Sequence, residues 1–330
     1  MKSFFPILMM AALLLPMLAG CASAPAASSD TSEKPSGATA APTESALPTT
    51  EEPEQPSVPS VSWTTLSENR DSLKLLAIGN SFSVDCMEYL WQMLREAGYK
   101  EVTLGNLYYG GCTLAQHLNF AKTDAASYTY YKNTTGTWTK TDSYKMSAAI
   151  ADEDWDVITL QESSKTCGIA DAYKASLSKL VDYVRSKNDK ATLVWNMTWA
   201  YQADSTHPSF PNYDNDQMKM YAMILNCVKN HVMTDARFAG LIPVGTTIQI
   251  ARTSYLGDHM TRDGYHLDKT FGRYLAALTW ACRIAGVHPA QITYNPCPED
   301  IDSRMIAVAR EAVAEGIAYP YELTISSYQE

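Results

Sequence analysis

The chain has 330 residues, 46% of them hydrophobic, and 36 acidic against 26 basic side chains leave a net charge of −10. With that charge and no basic block there is no electrostatic footprint for nucleic acid. The seven cysteines form no C-x-x-C pair and no zinc-ligand pattern, so no disulfide or metal site can be assigned from spacing.

Lys2, an apolar stretch from Phe4 to Leu18 and then small residues have the make-up of a secretory signal over residues 1–20. The ending Leu18-Ala19-Gly20-Cys21 resembles a bacterial lipobox, which implies that Cys21 is the lipidated first residue of the mature chain. The expected location is the outer face of a cell membrane, with the lipid bilayer as a partner through Cys21. Residues 21–62 are rich in Ala, Ser, Thr, Pro and Glu and have almost no large apolar residue. Such a segment cannot bury enough surface to offset its conformational entropy, so it is expected to be a disordered tether. Residues 63–330 remain for one folded domain, a length normal for a large α/β unit.

Leu73–Ile78 is a nearly continuous apolar run ending at Gly79, the pattern of a strand buried on both faces. Asn80 and Ser81 favour a helix start, and apolar positions from Cys86 to Leu94 recur at helical spacing. A second strand is expected at Glu101–Tyr109, closing on Gly110-Gly111, and a helix over Leu114–Ala121. The segment Tyr128–Met146, with Asn133-Thr134-Thr135-Gly136 at its centre, predicts an inserted hairpin. Asp156–Leu160, Ala191–Trp195 and Leu241–Val244 predict further strands, separated by helices over Asp171–Val184 and Asp214–Val228. A last helix is expected over Phe271–Ile284. Strands alternating with helices imply a three-layer α/β/α fold around a mostly parallel five-stranded sheet of flavodoxin-like type. In such sheets ligands bind beyond the carboxyl ends of the strands, which puts Ser81, Gly111, Gln161 and Trp199 on one rim.

A serine nucleophile needs a base, and the base an orienting acid. Of the six histidines, His266 differs because Asp263 precedes it by three residues across a turn containing Gly264. Asp263 can accept one ring N–H and leave the other nitrogen for Ser81.

Gly79-Asn80-Ser81 first, Gly111 second, a polar turn after the third strand and Asp263-x-x-His266 last is an order that resembles the SGNH hydrolases, also called GDSL esterases. That resemblance implies Ser81 as nucleophile, His266 as general base, Asp263 as its orienter, and an oxyanion hole from the N–H groups of Ser81 and Gly111. Two positions depart from the pattern. Asn80 stands where the family has aspartate, and the third block, normally Gly-x-Asn-Asp, reads Gln161-Glu162-Ser163-Ser164. The Gln161 amide is the candidate replacement for the missing asparagine donor. The phrases Gly79–Ser83, Gly105–Cys112, Leu160-Gln161, Thr198–Gln202 and Thr261–Leu267 resemble more closely a bacterial branch of that superfamily, the DUF4886 family.

The expected activity is ester hydrolysis through an acyl-enzyme, requiring no metal or organic cofactor. An anchored, exported enzyme meets glycans first, so an acylated, above all acetylated, carbohydrate is the expected substrate, with another small ester as the broader class. Trp199 and Tyr201 are the candidate substrate-binding residues, and the aromatic side chains of Tyr128–Tyr144 offer further ring surface. A glycan-binding lipoprotein that has lost useful catalysis, and an O-acyltransferase using the same three residues, stand beside this reading.

Overall fold

The computed structural model describes residues 64–67 and 71–330. The expected signal sequence, Cys21 and the expected tether lie outside the described residues. Those that are described belong to one compact unit, and among them no helix is long and apolar enough to cross a membrane.

The apolar run after Ser72 forms β1 (Ser72–Gly79), buried along almost its whole length. It pairs in parallel with β2 (Glu101–Tyr108) on one side and β5 (Val157–Leu160) on the other. β6 (Thr192–Asn196) and β7 (Phe238–Ile242) continue the parallel sheet outward from β5. The parallel strands thus run β2-β1-β5-β6-β7, the doubly wound order in which the direction of winding reverses beside the first strand. The crevice at that reversal lies where β1 and β5 end, so Ser81 and Gln161 leave the sheet side by side.

The hairpin expected as a separate insertion is part of the sheet. β3 (Tyr128–Asn133) pairs antiparallel with β2, and β4 (Trp138–Tyr144) with β3, giving seven strands in the order β4-β3-β2-β1-β5-β6-β7. Its hydrogen bonds satisfy the edge of β2, which would otherwise be open to pairing with another chain.

Helices cover both faces. α1 (Ser81–Met87), α2 (Leu90–Glu96), α7 (Val244–Arg252), α8 (Phe271–Ala285) and α9 (Ser303–Ala318) enclose one apolar core. The other core lies under α3 (Leu114–Thr123), α4 (Met146–Ala151), α5 (Ala170–Lys187) and α6 (Gln217–Cys227). The single helix expected across Cys86–Leu94 is broken at Glu88-Tyr89, where tertiary contacts override local pattern. There Arg273 holds the Glu88 carboxylate at 2.8 Å, and the Tyr89 hydroxyl donates to the Lys269 carbonyl. α6 starts three residues later than expected because Asp214 and Asn215 take left-handed backbone, leaving Asp216 to cap it. α7 and α9 go beyond the elements expected from sequence. Every residue of α7 is buried, so it has no polar face to mark its period. All six described cysteines, Cys86 through Cys297, are free thiols.

Candidate active site

Ser81 is the first residue of α1, delivered there by the tight exit from β1. A Cβ on Gly79 would lie 2.7 Å from Ser83 Oγ and 3.2 Å from the Gln161 carboxamide carbon, so only glycine fits this crossing. Asn80 caps α1, accepting from the Phe82 N–H at 3.0 Å.

His266 Nε2 lies 2.7 Å from Ser81 Oγ, and His266 Nδ1 lies 2.7 Å from Asp263 Oδ2. The other oxygen of Asp263 accepts from the backbone N–H of His266 at 2.8 Å, so one carboxylate fixes both the ring and the turn that carries it. Burial pushes the Asp263 carboxyl up, but the hydrogen bonds and charge of His266 outweigh that and hold it below the usual carboxylate range. The turn is pinned from outside as well. Arg262 N–H donates to the His266 carbonyl at 2.9 Å, Gln202 N–H to the Gly264 carbonyl at 2.8 Å, and Trp199 Nε1 to the Tyr265 carbonyl at 2.7 Å.

A buried cluster joins this turn to the helix of Ser81. Asp85 on α1, fully buried, accepts from Arg262 Nη1 at 3.0 Å, from the Leu267 N–H at 3.0 Å and from Arg273 Nε at 2.9 Å. Ser81 and His266 are thereby held in register although 185 residues separate them in sequence.

The three side chains open on a cleft of ≈ 260 Å³ whose walls include Tyr108, Gly111, Ser163, Lys165, His207 and Tyr265. Gly111 has φ +59°, a left-handed turn that suits glycine. Neither the Ser81 nor the Gly111 N–H has a partner among the described residues, so both are available to an anionic oxygen.

Gln161 does not join them. Its side chain is buried, with Nε2 donating to Asn80 Oδ1 at 2.9 Å and Oε1 accepting from Asn196 Nδ2 at 3.0 Å. Both ends of the amide are thus committed to the interior, and it does not line the cleft. Trp199 and Tyr201 are likewise not substrate-facing, being fully buried. Trp199 stacks flat on Phe82 with ring centroids 4.0 Å apart, and Tyr201 donates its hydroxyl to Ser164 Oγ at 3.0 Å. They pack behind the residues that line the cleft, Tyr201 against His207 and Tyr265 and Trp199 under the Tyr265 carbonyl.

Sequence reasoning missed Lys165, His207 and Tyr265. A Cβ on Gly111 would lie 3.5 Å from Lys165 Nζ, which has no acidic partner among the described residues. The Tyr265 ring lies 4.1 Å from that of His266 and 4.6 Å from that of His207. Burial, with Lys165 nearby, holds His207 below its usual value. Tyr265 could have been found from its place inside the Asp263–His266 run. Lys165 and His207 carry no local signal, because their place in the cleft depends on how two loops fold back.

Behind the cleft sits a buried carboxyl, Glu162, whose Oε1 accepts from the Leu114 N–H at 3.1 Å and the Ser163 N–H at 2.6 Å. It ties the loop after β5 to the start of α3, beside Gly111. Its other oxygen and the Thr166 hydroxyl, both buried, lack partners among the described residues. Burial raises Glu162 to about 7, although the two N–H donors, the nearby Thr166 hydroxyl and the charge of Lys165 all act to lower it.

Among solved structures, a DUF4886 family protein from Bacteroides uniformis is 41% identical to this chain, with a TM-score of 0.75 over 79% of this chain and all of that one. A candidate SGNH hydrolase from Slackia heliotrinireducens is 24% identical, covering 64% of this chain and 97% of its own, with a TM-score of 0.41. A candidate GDSL-like lipase from Parabacteroides merdae is 14% identical, covering 68% of this chain and all of its own, with a TM-score of 0.43. Comparison with curated proteins gives no match. The model of the domain of unknown function DUF4886 matches residues 74–316, and the chain belongs to that family.

Proposed function

We propose that the protein is a serine ester hydrolase that removes acyl groups, acetyl foremost, from carbohydrate at a membrane surface to which Cys21 anchors it. The observation that carries this reading is the Ser81–His266–Asp263 relay, with both links at 2.7 Å, opening on a cleft beside two free backbone N–H groups.

Ser81 Oγ attacks the ester carbonyl carbon while His266 Nε2 takes its proton, and Asp263 steadies the ring as it becomes cationic. The carbonyl oxygen, now anionic, accepts from the N–H groups of Ser81 and Gly111. As the tetrahedral adduct collapses, His266 returns the proton to the departing alcohol oxygen. Water, deprotonated by the same nitrogen, then attacks the acyl carbonyl carbon, and as this second adduct collapses His266 returns the proton to Ser81 Oγ and the acid leaves. Lys165, whose ammonium lies beside Gly111, adds positive charge there where the third-block asparagine's donor is missing. The lipobox-like ending at Cys21 supports the anchoring, and the hydroxyl, imidazole and ammonium groups along the cleft support a polar acylated substrate.

The commitment of Gln161 to the interior favours a second reading, a glycan-binding lipoprotein with little catalysis. Hydrolysis of p-nitrophenyl acetate separates the two. Ser81→Ala is expected to cost at least about a thousandfold in kcat/KM; equal rates in both proteins would leave binding as the function.

A further inference from the structure

The face of the sheet that carries Tyr108 into the catalytic cleft continues into a second cavity. Alternate residues of a strand share a face, so Asn106 and Tyr108 point the same way, and Asn106 stands opposite Tyr131 in the pairing of β2 with β3. Tyr108 lines the cleft and Tyr131 the second cavity, and their rings meet edge to face at 6.0 Å. Trp138, at the start of β4, extends the aromatic wall, and Val84 and Met87 of α1 with Glu88 just after it form the opposite one. Tyr131 and Trp138 are both half-buried. The volume is ≈ 160 Å³; an apolar cavity of about 150 Å³ takes up benzene, so there is room here for one six-membered ring.

The polar groups at this cavity are left incomplete. Asn106 is 2% exposed. Ser83 Oγ, 2.7 Å from the Asn80 carbonyl, lies 2.8 Å from Asn106 Oδ1 and fixes that end of the amide. The other end makes no hydrogen bond among the described residues and opens on the cavity. Arg273 Nη1 holds Glu88 Oε2 at 2.8 Å, leaving Oε1 to accept. Ring surface for C–H faces, with an amide and a carboxylate for hydroxyls, is what a sugar presents partners for. An acyl chain would leave Asn106 and Glu88 unanswered, and a phosphate would be repelled by Glu88.

We propose that this cavity is a sugar-binding subsite, which holds one pyranose of an oligosaccharide while an acylated neighbour reaches Ser81 past Tyr108. Its catalytic consequence rests on the esterase reading; binding itself does not.

The test uses the Ser81→Ala protein titrated with xylotriose, cellotriose and tri-N-acetylchitotriose, none of which carries an ester, followed by calorimetry. The same titrations are made with Trp138→Ala and with Tyr131→Ala added separately, each checked for folding by its thermal midpoint. Saturable binding of at least one sugar, weakened roughly tenfold or more by either added change, is expected. No binding of any of the three, or binding that neither change weakens, overturns the subsite. A wild-type protein that binds the sugar but does not hydrolyse p-nitrophenyl acetate would sink the esterase reading and leave the subsite standing.

Discussion

Asn80 shows why a residue that departs from the resemblance can still fit the chemistry. Its Oδ1 accepts from the Phe82 N–H and from Gln161 Nε2, while its Nδ2 donates to the Cys112 carbonyl at 3.1 Å. Only an amide can accept and donate in this way, and an aspartate would turn a carboxylate oxygen toward a carbonyl. Because Cys112 adjoins Gly111, that bond also fixes the Gly111 N–H, the second donor of the proposed oxyanion hole. Asn80→Asp is therefore expected to destabilise the protein by about 1–3 kcal/mol and to slow p-nitrophenyl acetate hydrolysis, read from urea midpoints and kcat. Gln161 belongs to the same chain of bonds, which runs on through Asn196 to Trp280 Nε1 at 3.1 Å. With the glutamine so occupied, the charge of Lys165 is the side-chain feature left to act on the oxyanion. Lys165→Met is expected to lower kcat by roughly one to two orders of magnitude with little change in KM, somewhat less than the loss of a directed donor. An unchanged kcat would mean that the two backbone N–H groups suffice.

At the scale of elements, the site depends on whether α1 and the Asp263–His266 turn keep their mutual position. Asp85 is the link, a carboxylate without solvent exposure shared by Arg262, Arg273 and the Leu267 N–H. Removing one partner of such a buried cluster leaves charge uncompensated, typically at a cost of about 3–5 kcal/mol. Asp85→Asn is expected to lose stability on that order and to lower kcat. If kcat holds while stability drops, the cluster supports the fold without setting the catalytic geometry. Little of this was legible in the sequence. The strand, glycine and serine at the end of β1, and the Asp-x-x-His turn, could be read because their signals are local. Trp199 and Tyr201 were misplaced because residue type does not say which side of a loop faces the cleft. Gln161 was misplaced because its partner Asn196 stands on another strand, 35 residues away. The helix break at Glu88 likewise depends on Arg273, far along the chain.

For the whole molecule, the sheet order puts the carboxyl ends of β1, β2 and β5 together, so the loops that form the cleft meet over one polar interior. Glu162 lies within it, and its protonation links that packing to global stability. Burial raises its folded value to about 7, against an ordinary 4.5. Between those limits the folded chain keeps a proton that the unfolded chain gives up, so stability falls as pH rises through this window, with a total near 3 kcal/mol. Asp263, held low by His266, acts in the opposite sense and in a different range. Its contribution is present above the usual aspartate value and is lost only as pH falls below that. Glu162→Gln keeps Oε1 for the N–H groups of Leu114 and Ser163 and places an N–H donor where Oε2 has no partner, near a Thr166 hydroxyl that also lacks one. The variant is therefore expected to match wild type near pH 4.5 and to exceed it from about pH 7 upward by on the order of 3 kcal/mol. Urea unfolding of both proteins across this range is the measurement, and curves that run parallel throughout would show that Glu162 is ionised at no cost to the fold.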